Sequence, residues 1–439
     1  MLLLPLGAKA DDPVYNNGDT FTAETVEGVT MTFRVTDAEN KVCSLAGSCI
    51  DKATTGMITI PESAQGYSVQ SIGVQAFIYC TGITEISVPG SVKTIETGAF
   101  SGCSGLATVS LEEGVETLDY QCFRDCESLT AITLPNSLKN LNEGVFSGCT
   151  KLATVSFGNS LQSIGRHAFS RCSSLTSVVI PDNVITMGDA VFYHCTGLTS
   201  VTLPANLTSI EASMFCGCSN LVSVNIPAGV TTIGDAAFLN CNSLASVIFP
   251  NGLTSIGKNA FMECLGLTSI SLPSSLTTVG ENAFQSCENI KSAIISKNMA
   301  SIPNGLFDCC VGLTSVTIPK GVTTIGDRAF AVTSLSSIRL PNTLTTLGVS
   351  ALNCPNLTTV TIPASVTSIG DKCFDICRAL KSVVVQWTTP INITSDAFLS
   401  DVYTGTLMVP LVRVRLTPLP KGGKSFRISK RCLVLATAT

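Results

Sequence analysis

A phenylalanine recurs every 23 residues along most of the chain, and the other apolar positions keep fixed distances from it. The equally spaced members are Phe77, Phe100, Phe123, Phe146, Phe169, Phe192, Phe215, Phe238, Phe261, Phe284, Phe307 and Phe330. Leu352, Phe374 and Phe398 continue the row with steps of 22, 22 and 24 residues. About fifteen units therefore run from near Met57 to near Ser400, each reading L-x-x-V-x-I-P-x-x-V-x-x-I-G-x-x-A-F-x-x-C-x-x.

Each unit predicts two short extended pieces and one compact turn. In one unit, Leu221–Ile226 has the aliphatic, β-branched composition of a strand and is stopped by Pro227. The segment Thr231–Gly234 predicts a second short extended piece that ends at glycine. The A-F-x-x-C stretch has a three-residue spacing and predicts one turn of 3₁₀- or α-helix. One unit cannot enclose a core, so the units are expected to stack into a solenoid with a parallel sheet on one face.

The consensus resembles the BspA-like (Treponema pallidum-type) leucine-rich repeats, with their pattern "IG..AF..C..L..I.IP", over about 340 residues. The resemblance implies an α/β repeat solenoid of about fifteen coils, either a right-handed horseshoe or a gently curved right-handed solenoid. Its parallel sheet would lie on the concave side, with short strands and 3₁₀ or helical turns elsewhere. The segment before the repeats resembles the N-terminal β cap of Bacteroides-type members. Its alternation of Thr30, Thr32 and Arg34 with Met31, Phe33 and Val35 predicts a half-buried strand.

These patterns divide the chain into four parts. Residues 1–10 are interpreted as the remnant of a signal peptide, with an A-x-A site at Ala8–Ala10; the alternative is a frayed apolar start. Residues 11–56 are the predicted β cap and residues 57–400 the repeat solenoid. Residues 401–439 comprise a capping strand at "GTLMVP" and a tail with seven Lys/Arg and no acid from Leu411 onward. That tail is either a reading-frame error or decayed end, or a genuine basic tail.

Twelve of the twenty cysteines stand three residues after the repeat aromatic position and predict a structural ladder along the solenoid. A buried thiol there could donate a hydrogen bond to a carbonyl left open by the turn. Disulfides or metal binding are the alternatives, but the side chains would point the same way without converging. Cys43 and Cys49, in the cap, are the best candidates for a disulfide. The ladder consists of Cys80, Cys103, Cys126, Cys149, Cys172, Cys195, Cys218, Cys241, Cys264, Cys287, Cys310 and Cys377.

Composition argues against several classes of function. Charged residues are 13% and the net charge is -5, which does not suggest nucleic acid or an anionic membrane as partner. The mean hydropathy of +0.41 reflects the repeat, and no run approaches the roughly 18 apolar residues of a membrane span. The two histidines, His167 and His194, fall at variable, outward-facing positions, and neither a G-x-S-x-G nor a P-loop motif occurs. We therefore expect a protein that is not an enzyme and uses no cofactor or metal.

The variable positions of the strands form the candidate binding face, because solenoids usually bind through these positions. They are mostly Ser and Thr; basic exceptions come late, at Lys291, Arg339 and Lys381. The acidic cluster Glu112, Glu113, Glu116 and Asp119 is expected to be a solvated patch, with a partner site as the alternative. The candidate protein-binding residues are Thr130, Thr133, Thr176, Ser177, Thr199, Ser200, Thr202, Ser223, Asn225, Thr268, Ser269, Thr314, Ser315, Thr317, Thr358 and Thr361.

Two functions follow from this face. The first is a secreted or cell-surface bacterial protein that binds other proteins, and the resemblance implies adhesion to host matrix proteins or to other cells. Such a partner would be bound broadly, because the face has almost none of the Trp, Tyr and Arg that dominate binding hot spots. The alternative is a structural spacer or scaffold with no ligand of its own.

Overall fold

The structure is a computed structural model that describes residues 14–387, 397 and 406–408. The predicted signal-peptide remnant and the basic tail after Met408 lie outside the described residues. The chain divides into two compact units, Met1–Gly197 and Leu198–Thr439. Coils built on parallel sheets make up each unit, and the predicted β-solenoid of about fifteen coils is confirmed.

The first unit contains sixteen strands among its described residues. They are β1 (Thr20–Glu24), β2 (Thr30–Asp37), β3 (Val42–Leu45), β4 (Gly56–Thr59), β5 (Ser63–Ala64), β6 (Tyr67–Ile72), β7 (Ile83–Val88), β8 (Thr94–Ile95), β9 (Thr108–Leu111), β10 (Thr117–Leu118), β11 (Ala131–Thr133), β12 (Asn140–Leu141), β13 (Thr154–Ser156), β14 (Ser163–Ile164), β15 (Ser177–Val179) and β16 (Thr186–Met187).

The second unit contains seventeen strands among its described residues. They are β17 (Ser200–Thr202), β18 (Ser209–Ile210), β19 (Ser223–Val224), β20 (Thr232–Ile233), β21 (Ser255–Ile256), β22 (Ser269–Ser271), β23 (Thr278–Val279), β24 (Ser292–Ile294), β25 (Ser301–Ile302), β26 (Ser315–Thr317), β27 (Thr324–Ile325), β28 (Ser337–Ile338), β29 (Thr346–Leu347), β30 (Thr359–Ile362), β31 (Ser368–Ile369), β32 (Ser382–Val385) and β33 (Thr406–Met408).

Two rows of strands run through each unit. The L-x-x-V-x-I segments form a row that we call the binding row, which comprises β4, β7, β9, β11, β13 and β15 in the first unit and β17, β19, β22, β24, β26, β28, β30, β32 and β33 in the second. The two-residue strands before each I-G glycine form the second row. In that row Thr117 pairs with Asn140 and Leu118 with Leu141, a register equal to one repeat. The period of the sequence therefore sets the register of the sheet.

The N-terminal cap continues the second row. Strands β1, β2 and β3 are antiparallel, and β3 then pairs in parallel with β6, the first strand of that row. Along β2, Met31, Phe33 and Val35 are buried whereas Thr30 and Arg34 are exposed, which confirms the predicted half-buried strand. This apolar face of the cap covers the end of the first unit's core.

The repeat phenylalanines fill the interior of both units. Those from Phe77 to Phe330 are fully buried, and successive rings stack nearly parallel within a unit. Ring centroids are 4.8 Å apart between Phe77 and Phe100, and 5.0 Å apart between Phe238 and Phe261. Burying one such ring contributes about 2–3 kcal/mol relative to leaving it exposed. The stack explains why this position keeps its spacing when others vary.

The turn around each phenylalanine is not the helical turn that the sequence predicts. Two residues before and two after Phe169, the backbone has positive φ, 55° at His167 and 62° at Arg171, which no right-handed helix allows. Alternate N–H groups therefore point in different directions. Cys103 N–H donates to Phe100 O within its coil at 3.1 Å, whereas Phe100 N–H donates to Cys122 O of the next coil at 2.7 Å. The three-residue spacing of phenylalanine and cysteine does mark a turn, but this turn also hydrogen-bonds to the next coil, as a strand of a sheet does.

Candidate functional site

The binding row exposes alternate side chains because successive residues of a strand point to opposite faces. In β17, Ser200 and Thr202 are exposed whereas Val201 between them is only 6% exposed. Prolines such as Pro204 follow the strand and end it, since proline cannot donate to a ladder. A coil of this kind therefore presents two polar side chains on the outer face of the row, whereas in β15 and β24 an apolar residue, Val179 or Ile294, takes one of the two places.

The sixteen candidate binding residues all lie on or beside the binding row. Four of them, Thr130, Thr133, Thr176 and Ser177, belong to the first unit, and the rest belong to the second. Thr358 is half-buried and the other fifteen are exposed. The structure thus gives each unit its own polar face made of these residues.

Some of these threonines already use their hydroxyl groups inside the fold. Thr314 Oγ1 donates to Lys291 O of the preceding coil at 3.1 Å, and Thr358 Oγ1 donates to Ser336 O at 2.9 Å. Both residues stand just before a strand, where the carbonyl of the coil below points toward them. Their hydroxyl oxygens can still accept a hydrogen bond from a partner, but their protons are engaged.

The predicted cysteine ladder lies inside the coils, and its thiols donate to backbone carbonyls. Cys172 Sγ donates to Phe146 O at 3.3 Å, and Cys241 Sγ donates to Phe215 O at 3.1 Å. The same bond joins each thiol to the repeat phenylalanine of the preceding coil at Cys103, Cys126, Cys149, Cys195, Cys264, Cys287 and Cys310, and Cys377 bonds Leu352 in the same way. Cys80 and Cys218 are buried at the corresponding positions.

Burial keeps these thiols neutral. It raises the pKa of the Cys103, Cys195 and Cys287 thiols to about 12. The thiolate is the form that attacks electrophiles and binds metals. Because the thiols keep their protons at neutral pH, the ladder suits hydrogen bonding inside the fold better than chemistry.

The sequence missed one member of the ladder. Cys354 Sγ donates to Phe330 O at 3.1 Å and occupies the ladder position of the coil that contains Leu352. In the preceding coil, Thr333 replaces the cysteine and also bonds Phe330 O, at 2.9 Å. Cys354 stands two residues after Leu352 instead of three, which hid this match, although counting three residues back from Leu357 could have found it.

Five more of the described cysteines also lie in the core as free thiols. Cys122 and Cys373 stand directly before a repeat phenylalanine and Cys216 directly after one, and all three are buried. Cys43 and Cys49 are both free and buried, so the structure lacks the disulfide considered for the cap. Instead, Cys43 Sγ donates to Tyr67 O at 3.9 Å, which uses the thiol within the cap.

The histidines lie apart from the cysteine ladder. His167 is half-buried and its ring meets that of Tyr193 edge-on, with centroids 6.3 Å apart. His194 is exposed and lies 4.3 Å from the same tyrosine. Cys172, near His167 in sequence, directs its thiol to a carbonyl in the core. The sequence spacing of His167 and Cys172 therefore does not produce a joint site.

The acidic cluster of the first unit bonds adjacent coils together. Glu113 Oε1 accepts the N–H of Asn136 at 3.0 Å, and these backbone hydrogen bonds lower the pKa of that exposed carboxyl. Asp119 accepts hydrogen bonds from Thr97 and Asn142, both at 3.0 Å. Glu113 and Asp119 therefore hydrogen-bond to residues of the adjacent coils.

One depression interrupts the polar face of the first unit. Its volume is about 380 Å³, and it is lined by Thr154, Val155, Ser156, Phe157, Ser177, Val178, Val179 and Pro181. Phe157 is half-buried with its ring edge-on to Phe169, and Val179 is 66% exposed. The depression offers an apolar floor within the Ser/Thr surface, next to the candidate Ser177.

The described residues contain no group of three or more His, Cys, Asp or Glu side chains that could bind a metal ion. No helix in the described part of the chain is long and apolar enough to cross a bilayer.

Comparisons with known proteins agree with the repeat structure. Residues 70–199, 185–314 and 300–404 match the family described as "BspA type Leucine rich repeat region (6 copies)". The crystal structure of a leucine-rich repeat protein from Bacteroides ovatus is 27% identical, with a TM-score of 0.67 over 84% of this chain and 94% of that chain. The Treponema pallidum leucine-rich repeat protein is 26% identical, with a TM-score of 0.37 over 56% of this chain and 91% of its own.

A leucine-rich cell surface protein from Faecalibacterium prausnitzii is 22% identical, with a TM-score of 0.45 over 84% of this chain and 96% of that chain. A search of curated proteins gave no match. The family match extends over about three quarters of the sequence and covers the coils that carry the phenylalanine stack and the thiol ladder. The chain therefore belongs to the BspA-type leucine-rich repeat family.

Proposed function

We propose that this chain is a non-enzymatic, secreted or cell-surface protein that binds other proteins through the binding row, as an adhesin toward host matrix or other cells. The observation that carries the proposal is the repeated outward presentation of Ser and Thr on successive coils. Weak contacts that repeat along a surface can add to useful avidity on a fibrous partner. The depression beside Ser177 supplies an apolar anchor, which a purely polar face would lack.

The test is binding of the full chain to a panel of immobilised matrix and serum proteins at physiological salt. The variant Ser177→Arg/Ser200→Arg/Ser269→Arg places bulky cations at three exposed positions of the binding row. We expect it to lose at least tenfold in affinity, since each change obstructs one contact. Absence of binding by the unaltered chain across the panel would instead favour the spacer role.

A matched control places the same charges on the second row. Thr186→Arg/Thr232→Arg/Thr278→Arg alters three exposed residues of β16, β20 and β23. We expect this control to bind as the unaltered chain does. Equal losses in both triple variants would assign the effect to net charge and would contradict a role for the binding row.

A further inference from the structure

Three cations interrupt the Ser/Thr pattern on the binding row of the second unit. Lys291 directly precedes β24, Arg339 directly follows β28, and Lys381 directly precedes β32, and all three side chains are exposed. At the equivalent positions, neighbouring coils carry threonine, as at Thr314 and Thr361. The coil itself therefore does not require a cation at these places.

No acid balances these cations on the same face. The binding-row strands β17 to β32 contain no Asp or Glu, and the ion pairs of the described residues do not include Lys291, Arg339 or Lys381. Two other cations of the second unit are paired: Lys258 with Glu281 at 3.4 Å and Arg328 with Asp308 at 2.9 Å. The three cations thus keep their charge available for a partner.

Their spacing is regular. Arg339 lies two coils after Lys291, and Lys381 lies two coils after Arg339. Adjacent strands lie about 4.8 Å apart and each residue advances about 3.3 Å along a strand, so Lys291 and Lys381, at the same repeat position, are about 20 Å apart, and Arg339, three positions further along its strand, is about 14 Å from each. A partner that matches this row must carry negative charge repeated along a line.

The intervening surface favours a polysaccharide over a protein or a nucleic acid. Exposed hydroxyls at Ser315, Thr317, Thr359 and Thr361 lie between the cations and can bond sugar hydroxyls and sulfates. Single-stranded nucleic acids and protein hot spots rely on aromatic side chains, and the strands β22 to β32 contain none. We propose that the second unit binds a linear sulfated polysaccharide along this row, through Lys291, Arg339 and Lys381.

This inference goes beyond protein binding and does not depend on it. The test measures binding of the full chain to heparin as the sulfated probe, by affinity chromatography and by titration at about 50 mM and about 150 mM salt. The variant is Lys291→Thr/Arg339→Thr/Lys381→Thr, which installs the residue found in neighbouring coils. We expect a loss of about ten- to a hundredfold in affinity, because an exposed ion contact contributes a factor of about two to five.

The control removes three cations elsewhere: Lys139→Gln, Arg166→Asn and Lys258→Asn, again using residues that other coils carry at those positions. This control should retain heparin binding, and thermal unfolding followed by circular dichroism should match in all three proteins. Weaker binding to hyaluronan, which carries carboxylates without sulfates, would also support the proposal. Equal losses in the variant and the control would overturn it, as would failure of the unaltered chain to bind heparin at low salt.

The protein panel of the preceding section separates the two proposals. If the threonine variant loses heparin but still binds a matrix protein, the polysaccharide site stands independently. If it loses an acidic protein partner while heparin never binds, the cations serve a protein interface and the polysaccharide proposal is wrong.

Discussion

The thiol ladder predicts a measurable cost when one sulfur is removed from the core. Cys172 is fully buried, and its thiol donates to Phe146 O at 3.3 Å. The same carbonyl accepts the Cys149 N–H at 3.2 Å. Replacement of Cys172 by alanine therefore leaves this carbonyl with one hydrogen bond. The expected loss in free energy of unfolding does not include the penalty for a buried polar group that has no partner.

The magnitude follows from three contributions. Removing a buried group the size of sulfur loses about 1 kcal/mol of transfer free energy. A residual cavity of about 25 Å³ adds about 0.6 kcal/mol. The weak thiol hydrogen bond adds about 0.5 kcal/mol. We therefore expect Cys172→Ala to lower the free energy of unfolding by about 2 kcal/mol. Cys172→Ser keeps a donor and most of the volume, and should cost about 1 kcal/mol.

The assay is urea unfolding of the full chain under reducing conditions, followed by circular dichroism, with Cys309→Ala as the control. Cys309 is half-buried and its thiol lies 3.6 Å from Asp308 Oδ1, so its removal should cost less than about 0.5 kcal/mol. The reasoning is refuted if serine destabilises more than alanine, because the ladder would then depend on an apolar group. It is equally refuted if Cys172→Ala and Cys309→Ala unfold at the same urea concentration.

Three further predictions concern the same core. Phe238→Leu should cost about 1–2 kcal/mol and Phe238→Ala about 3–5 kcal/mol in urea unfolding, because leucine fills most of the stacked position; equal costs would mean that ring volume is unimportant. Gly114→Ala should lower the free energy of unfolding by about 3 kcal/mol, because φ there is 118° and a Cβ would lie 2.3 Å from Gly90 O. Gly98→Asn should cost less than about 1 kcal/mol, because φ there is 63° and the nearest contact of a Cβ would be at 3.5 Å. Burial raises the pKa of Cys103 from 9.0 to about 12, so its contribution to stability is complete below about pH 9 and is lost as pH rises toward 12. At pH 10 each such thiol should lower the free energy of unfolding by about 1 kcal/mol relative to neutral pH. An unfolding midpoint that stays constant between pH 8 and pH 10.5 would contradict this.

The repeat predicted the architecture well because one physical quantity, the length of a coil, controls both sequence period and strand register. Every apolar position of the unit must lie above its equivalent in the next coil, so the sequence shows the alignment directly. The pairing of Thr117 with Asn140 follows from this alone. Where the coil shortens to 22 residues, a fixed distance from the repeat position no longer locates the ladder cysteine, so Cys354 is not predicted.

Features that depend on bonds between coils were not predictable in this way. A helical turn and the observed turn share the three-residue spacing of phenylalanine and cysteine, and only the positive φ values at His167 and Arg171 separate them. The use of Glu113 to cap Asn136 depends on where two loops meet, which the composition of either loop does not determine. The pairing of β3 with β6 joins the cap to the second row, and no repeat marks that contact.

Whether the fold alone explains a residue also decides where function should be sought on the binding row. Threonine is common on both rows partly because its hydroxyl donates to the coil below, as Thr314 does on the binding row and Thr254 and Thr323 do on the second row. Threonines just before a strand are therefore explained by the fold, so the support for binding comes from the exposed hydroxyls within the strands, such as Ser200 and Thr202. Residues that replace threonine without any structural benefit, such as Lys291 and Arg339, are not required by the coil. They are the positions at which a ligand has the clearest reason to be recognised, and substitutions there should change binding while leaving stability unaltered.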